Sequence, residues 1–180
     1  MRLLIGIFAV FLSVVSASAE DKLTAAIAKI DADVVFMRHA LAPGFGDPAH
    51  FALENCDTQR NLDSVGRKQA MEIGAEIQHS ATNFTEVLSS EWCRCKETAE
   101  LLGLGPWSPF SGLNSFFQDF ADKDVVLEKL EQKLRHLEPG VTLMVTHQVV
   151  IRSMTGQAVG SGEFIAFNTR TNEARKFRLD

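Results

Sequence analysis

Three short apolar segments, separated by segments with helical periodicity, constrain the fold of this 180-residue chain more than any other feature. Short apolar runs bounded by polar residues are typical of strands that are buried on both faces, as in a parallel sheet. The three predicted strands are Asp33–Met37, Val87–Ser90 and Val141–Thr146.

Helical patterns lie between and after these strands. The predicted helices run from Leu62 to just before Ser80, from Cys93 to Leu102, from Asp122 to Leu137, and from Val149 to Met154. Phe164–Phe167 and Lys176–Leu179 indicate a terminal hairpin. Strands that alternate with helices predict an α/β fold, a three-layer sandwich in which helices flank a mostly parallel central sheet.

The first 19 residues have the composition of a secretory signal peptide. The apolar stretch Leu3–Val15 is shorter than the roughly 20 residues that a membrane-spanning helix needs. Ala17-Ser18-Ala19 fits the A-x-A pattern of a cleavage site. We expect residues 1–19 to be removed and residues 20–180 to form one mature domain, periplasmic or secreted and without membrane attachment. The alternative is an uncleaved membrane anchor.

Charge and cysteine content limit the partners and the chemistry. The net charge of −5 gives no general attraction for nucleic acid or anionic lipid, so any anion site must be a local cluster of positive groups. Histidine and cysteine spacing typical of metal sites is absent from the sequence, and we expect no metal and no cofactor. In an exported chain a disulfide from Cys56 to Cys93 or Cys95 is expected, with three free thiols as the alternative.

Basic side chains follow the predicted strands. Arg38 and His39 come directly after the first strand, Arg94 follows the second, and His147 follows the third. Ligands of such sheets bind at the carboxyl ends of the strands, so these four side chains are expected to meet. Each one alone is compatible with an ordinary surface role. Together they suit a phosphoryl group, because arginine binds phosphate oxygens in bidentate fashion and a neutral histidine can attack phosphorus.

Four segments of the chain resemble, in the same order, motifs of the histidine phosphatase (phosphoglycerate mutase-like) superfamily. Together with the predicted signal peptide, the chain resembles a small exported member of the branch-1 type. Phe36–Ala40 resembles the R-H-G signature, with Ala40 in place of glycine. Leu62–Ala70 fits L-x-x-x-G-x-x-Q-A, and Ser89–Ala99 resembles the S-x-x-x-R-x-x-x-T-A segment. Val145–His147 resembles the strand that ends in the second histidine.

The resemblance implies a role for each matched residue. His39 would be the nucleophile, and Arg38, Arg94 and His147 would bind the phosphoryl oxygens. Arg60, just before a predicted helix, is a further candidate for a phosphate contact, and its alternative role is a surface arginine at a helix entry. The implied activity is hydrolysis of a phosphomonoester through a phosphohistidine intermediate.

One position departs from the family pattern. Many members carry an acid soon after the second block, where this chain has Leu113-Asn114-Ser115, and a serine cannot protonate a leaving oxygen near neutral pH. Either Asp119 is the proton donor, or the leaving group needs little help. Asp119 and Asp122 are equally compatible with ordinary surface charges. The neighbouring Phe116, Phe117 and Phe120 are predicted to form an apolar wall over the pocket or part of the core.

Three functions agree with these features. The leading hypothesis is an exported phosphatase that acts on a small phosphorylated substrate, for which a sugar phosphate or an envelope component fits the expected location. The second is a phosphohistidine phosphatase, because a phosphoramidate bond breaks more easily without an acid. The third is a non-catalytic protein that binds a phosphorylated ligand.

Overall fold

The computed structural model describes residues 21–179, so the predicted signal peptide lies outside the described residues. The helices are α1 Lys22–Ile30, α2 Ser64–His79, α3 Cys93–Leu101, α4 Lys123–Leu134 and α5 Gln148–Thr155. The strands are β1 Val34–Arg38, β2 Phe84–Ser89, β3 Ser108–Pro109, β4 Val141–Thr146, β5 Phe164–Phe167 and β6 Ala174–Phe177. In the part of the chain that is described, no helix has both the length and the apolar character needed to cross a membrane.

The six strands form one sheet in the order β3-β2-β4-β1-β5-β6. The pairs β3·β2, β2·β4 and β4·β1 are parallel, and β5 and β6 add an antiparallel edge beside β1. The predicted mostly parallel sheet is therefore confirmed. Because β1, β4 and β2 are parallel neighbours, with Arg38 opposite Thr146 and Ser89 opposite Val145, their carboxyl ends meet at one edge of the sheet.

Helices cover both faces of the sheet, which confirms the three-layer arrangement. Along β1, Val35 and Met37 pack against side chains of α1, α2 and α3, whereas Val34 and Phe36 pack against α4 and α5. This alternation of faces explains why the β1 sequence is apolar throughout, since each successive side chain enters a different core.

Two elements were not predicted from the sequence. Helix α1 begins next to the expected cleavage site, where Asp21 caps it by accepting the backbone amides of Leu23 and Thr24. Strand β3 has only two residues and pairs with the end of β2. A two-residue element is too short to show a periodic pattern in the sequence, and it depends on its pairing with β2.

A disulfide joins Cys56 to Cys93, with their Cα atoms 5.7 Å apart. This confirms the expected bridge from Cys56 and identifies Cys93 as its partner, and Cys95 is a buried free cysteine. The bridge fastens the long segment between β1 and α2 to the first residue of α3.

Candidate active site

The structure brings the four predicted residues, which lie at the ends of β1 and β4 and in the first turn of α3, into one pocket of about 320 Å³. Arg38, His39, Arg94 and His147 all line it, and so does Arg60. The other lining residues are Gly44, Phe45, Gly46, Ser115, Phe117, Gln148 and Val149.

His39 is buried at the end of β1, and its position is held by the backbone. Its amide donates to the carbonyl of Thr146 on β4 at 3.0 Å, and its Nδ1 lies 2.7 Å from the carbonyl oxygen of Ala40. Because a carbonyl oxygen only accepts, Nδ1 carries the proton and Nε2 carries the free electron pair. Burial, and then the charge of Arg94, hold the pKa of His39 well below its usual range. The imidazole is therefore neutral at neutral pH.

His147 is held by a chain of polar side chains from β2 and the segment after β3. Its Nε2 lies 2.9 Å from the Ser90 hydroxyl, which donates to the Asn114 side-chain oxygen at 3.1 Å. The hydroxyl proton is thus committed to Asn114, so Nε2–H of His147 donates to Ser90. Nδ1 of His147 is then an acceptor, and it faces the Arg94 guanidinium at 3.4 Å. Burial, and then Arg94, hold the pKa of His147 well below its usual range.

Arg94 is the buried centre of the pocket, and Asp47 is its partner. The carboxylate of Asp47 accepts both terminal nitrogens of Arg94, at 2.8 and 3.1 Å. The remaining donors of this guanidinium reach His39 Nε2 at 3.3 Å, His147 at 3.4 Å and the carbonyl of Arg60 at 3.3 Å. Asp47 therefore sets the plane in which Arg94 faces both imidazoles.

Asp47 is a residue of the site that the sequence did not indicate. It lies in Gly46-Asp47-Pro48, where an aspartate reads as an ordinary turn residue. The structure buries its side chain and completes its hydrogen bonding with the backbone amide of Arg60 at 2.9 Å and the Trp92 indole at 3.2 Å. These partners lie on separate segments of the chain, so no local pattern marks the residue.

Arg38 and Arg60 form the outer part of the positive cluster. Arg38 donates to the side chain of Gln148 at 3.2 Å and to the carbonyl of Val159 at 3.0 Å, while its buried Nε has no hydrogen-bond partner among the described residues. Arg60 is held by the carbonyls of Ala42 and Gly46. Burial, and then Arg94, lower the pKa of Arg60 to about 10, so its guanidinium stays charged at neutral pH.

The charges of the pocket complement a dianion. Arg38, Arg60 and Arg94 supply three positive charges, Asp47 supplies one negative charge, and both imidazoles are neutral, which leaves a net charge of two positive units. Like charges held this close lower one another's pKa. The pKa of Arg38 and that of Arg60 are both lowered, mainly by burial and next by the charge of Arg94. An oxyanion with two negative charges would relieve that repulsion.

The predicted proton donor lies elsewhere. Asp119 is exposed and does not line the pocket, and Asp122 caps α4 by accepting the amides of Asp124 and Val125. Among residues 21–179, none that lines the pocket carries a carboxyl group, and Ser115 stands at its wall. The structure therefore favours the surface-charge interpretation of Asp119 and Asp122.

The three neighbouring phenylalanines have different positions. Phe117 lines the pocket, Phe116 packs against the core on the α4 side, and Phe120 stacks on Phe51 with ring centroids 4.6 Å apart. The predicted apolar wall is thus Phe117, joined by Phe45 from the loop after β1, which the sequence did not indicate.

No protein-family profile and no curated protein matches the sequence, but solved structures match the fold. SixA, a protein histidine phosphatase complexed with tungstate, matches with a TM-score of 0.52 at 16% identity, over 80% of this chain and 93% of SixA. A candidate alpha-ribazole-5'-P phosphatase from Escherichia coli K-12 matches with a TM-score of 0.56 at 18% identity, over 82% and 95%. TTHB049 from Thermus thermophilus has a TM-score of 0.57 at 16% identity, over 81% and 99%. The chain has the fold of the histidine phosphatases, as its motifs predicted.

Proposed function

We propose that this protein is a phosphatase that hydrolyses a phosphomonoester through a phosphohistidine formed on His39. The observation that carries the proposal is a neutral imidazole, with the electron pair of Nε2 inside a pocket of net positive charge. The similarity of fold to histidine phosphatases supports it.

The first chemical step transfers the phosphoryl group to His39. The phosphoryl oxygens bind the guanidinium groups of Arg38, Arg60 and Arg94, while Nε2 of His39 attacks phosphorus. The His147 ring donates to Ser90 and accepts from Arg94, so it holds that guanidinium in position. The Nε2–P bond forms as the P–O bond breaks, and the electron pair leaves on the departing oxygen. The bond from Nδ1–H to the Ala40 carbonyl strengthens as positive charge develops on the ring.

The second step returns the enzyme to its starting state. A water molecule attacks phosphorus, the Nε2–P bond breaks with its electrons returning to the imidazole, and inorganic phosphate is released. The proton that water loses balances the proton that the departing oxygen takes up, so the sum is ester plus water giving alcohol plus phosphate. Since no carboxyl group lines the pocket among the described residues, the departing oxygen takes its proton from solvent.

The missing carboxyl group also favours a second candidate, the hydrolysis of phosphohistidine. In that reaction the leaving group is an imidazole, which departs more easily than an alkoxide. Hydrolysis of phosphoimidazole with a kcat/KM above that of every monoester in a broad panel is the result that would favour this candidate over the first.

We further propose that the mature protein, residues 20–180, acts outside the cytoplasm on a small phosphorylated compound such as a sugar phosphate or an envelope component. The composition of residues 1–19 and the Cys56–Cys93 disulfide support this location, because disulfides persist in oxidising compartments. Amino-terminal sequencing of the protein from a periplasmic extract should begin at Glu20. A mature protein that retains residues 1–19 would contradict it.

The decisive experiment measures phosphate release from 4-nitrophenyl phosphate by residues 20–180 with a chelator present. We expect turnover in the wild type and a loss of about 10³-fold or more in His39→Ala, together with an acid-labile phosphoenzyme in the wild type alone. His136→Ala is the matched control, because that histidine is exposed and lies outside the pocket.

The same assay separates the enzyme from a phosphate-binding protein. If neither the wild type nor His39→Ala releases phosphate, yet both bind inorganic phosphate with equal affinity by calorimetry, the protein is a binder and the phosphatase proposal is wrong.

A further inference from the structure

Two aromatic rings stand at the entrance of the pocket. Phe45 and Phe117 both line it, and their rings meet edge to face with centroids 5.1 Å apart. Phe45 is 88% exposed and Phe117 is 38% exposed, so much of this aromatic surface faces water. A single exposed phenylalanine is common on a protein surface, but two contacting rings beside a strongly positive pocket form a contiguous apolar patch.

The rings are held in place by the residues that organise the pocket itself. The Gln118 side chain accepts the backbone amide of Asp47 at 2.7 Å and donates to its carbonyl at 3.2 Å, which joins the loop of Phe45 to the loop of Phe117. Gln118 adopts a left-handed conformation, with φ of 66°, to make this contact. Because Asp47 also binds Arg94, the rings keep a defined position relative to the phosphoryl-binding groups.

The chemistry of the pocket points to the same kind of substrate. No lining residue in the described part of the chain can act as a carboxylic acid, so a departing oxygen must leave with little protonation. A phenol has a pKa of about 10, whereas the pKa of water, which resembles that of an alkyl alcohol, is about 15.7. An aryl oxygen therefore leaves without an acid far more easily than an alkyl oxygen.

From the aromatic entrance and the missing acid we propose that the substrate is an aryl phosphate, with a planar aromatic group on the oxygen that departs. This inference rests on the proposed phosphatase function and names its substrate class, which replaces the sugar phosphate that the expected location alone suggested. The ring of the substrate contacts Phe45 and Phe117 while its phosphoryl group binds the arginines. Nε2 of His39 bonds to phosphorus, the P–O(aryl) bond breaks, and its electron pair leaves as a phenolate that takes a proton from solvent.

The test compares three monoesters, namely 1-naphthyl, octyl and ethyl phosphate. kcat/KM is measured for each with the wild type, Phe45→Leu and Phe117→Leu, since leucine keeps an apolar side chain and removes the ring. Val125→Ala is the control, because Val125 is an exposed apolar residue on α4 outside the pocket. Ratios between substrates within one variant cancel changes in the amount of active enzyme.

We expect the naphthyl-to-octyl ratio of kcat/KM to fall about 3- to 10-fold in each leucine variant, which is the contribution of one aromatic contact. The ratio should not change in Val125→Ala. An unchanged ratio in both leucine variants of an active enzyme overturns the inference and leaves the phosphatase function intact. If kcat/KM falls equally for naphthyl and octyl phosphate, relative to ethyl phosphate, the inference of an aryl substrate is wrong and a lipid-like substrate is favoured.

If no monoester is hydrolysed, the proposed phosphomonoesterase function fails, and a binding measurement still tests the aromatic contact. A solution of 1-naphthyl phosphate is titrated with the wild type or with Phe45→Leu, and binding is followed by its fluorescence. Binding about 3-fold or more weaker in the variant supports the ring contact, and equal binding refutes it.

Discussion

Replacing Asp47 by asparagine should damage both the stability and the activity of the protein. The carboxylate accepts four hydrogen bonds in the structure, two from Arg94 and one each from the Arg60 amide and the Trp92 indole. Asparagine has nearly the same shape, but it has one acceptor oxygen in place of two and no charge. The substitution therefore leaves the buried charge of Arg94 without its counter-ion.

The size of the effect follows from the burial of the pair, whose side chains are only 3% and 4% exposed. Removing one partner of a buried ion pair costs about 3–5 kcal/mol of unfolding free energy. At roughly 2–4 °C per kcal/mol for a domain of this size, Asp47→Asn should lower Tm by about 6–20 °C. Loss of the Arg94 orientation should lower kcat/KM for 4-nitrophenyl phosphate about 10²-fold, as misplaced catalytic groups do.

Calorimetry and steady-state kinetics on the folded variant check the two effects separately. Asp57→Asn is the matched control, because Asp57 lies in the same segment between β1 and α2 and is exposed. A variant that melts early but keeps its kcat/KM at a temperature where it is fully folded would show that Asp47 is structural alone. Unchanged Tm and unchanged kcat/KM would refute the reasoning about the buried pair altogether.

Three further predictions concern the disulfide, pH and a close backbone contact. Cys56→Ser removes a disulfide whose cysteines are 37 residues apart, so urea denaturation should show that the free energy of unfolding falls by about 4 kcal/mol. Added reductant should destabilise the wild type but not this variant. The unfolded state binds a proton on His39 below its usual pKa of 6.5 while the folded state does not, so unfolding free energy should fall as pH drops below 6.5. Burial tends to raise the pKa of Glu163, but hydrogen bonds from the Gly160 amide, Lys176 and Arg178 outweigh burial and lower this pKa from 4.5 to about 2. The Glu163 carboxylate therefore stabilises the folded state above pH 4.5, and this stabilisation is lost as the pH falls towards 2. Denaturation midpoints measured from pH 8 to pH 3 that stay constant would contradict both assignments. Gly66→Ala should cost about 1–3 kcal/mol, because its Cβ would lie 1.9 Å from the carbonyl oxygen of Leu41, and a variant with wild-type Tm would disprove this contact.

Much of the fold could be predicted because its signals are local. The apolar runs of β1 and β4 and the periodicity of α2 and α4 depend on neighbouring residues alone, so their positions agree with the structure to within a few residues. Helix α4 ends at Leu134 rather than Leu137, as helix ends depend on caps more than on periodicity. Strand β3 depends on its pairing with β2 and gives no local signal. Helix α1 was missed although the capping residue Asp21 precedes the apolar residues Leu23 and Ala26.

The residues of the candidate site were likewise predictable only where a local pattern in the sequence marks them. Arg38, His39 and His147 belong to or follow strands whose direction the sequence indicates, so their meeting at one edge was predictable from the parallel sheet. Asp119 was proposed because it is close in sequence to the position of the missing acid. The structure places it on the surface, since closeness along a loop does not determine where a side chain points.

The amino-acid sequence by itself determined the alternation of strands and helices, and hence which basic residues share the sheet edge. Only the tertiary structure decided that Asp47 binds Arg94, that Cys56 pairs with Cys93, and that Phe45 meets Phe117. Strand direction and helical period repeat over a few residues and can be read locally. The partners of loop residues are brought together by the packing of distant segments, which no local pattern encodes.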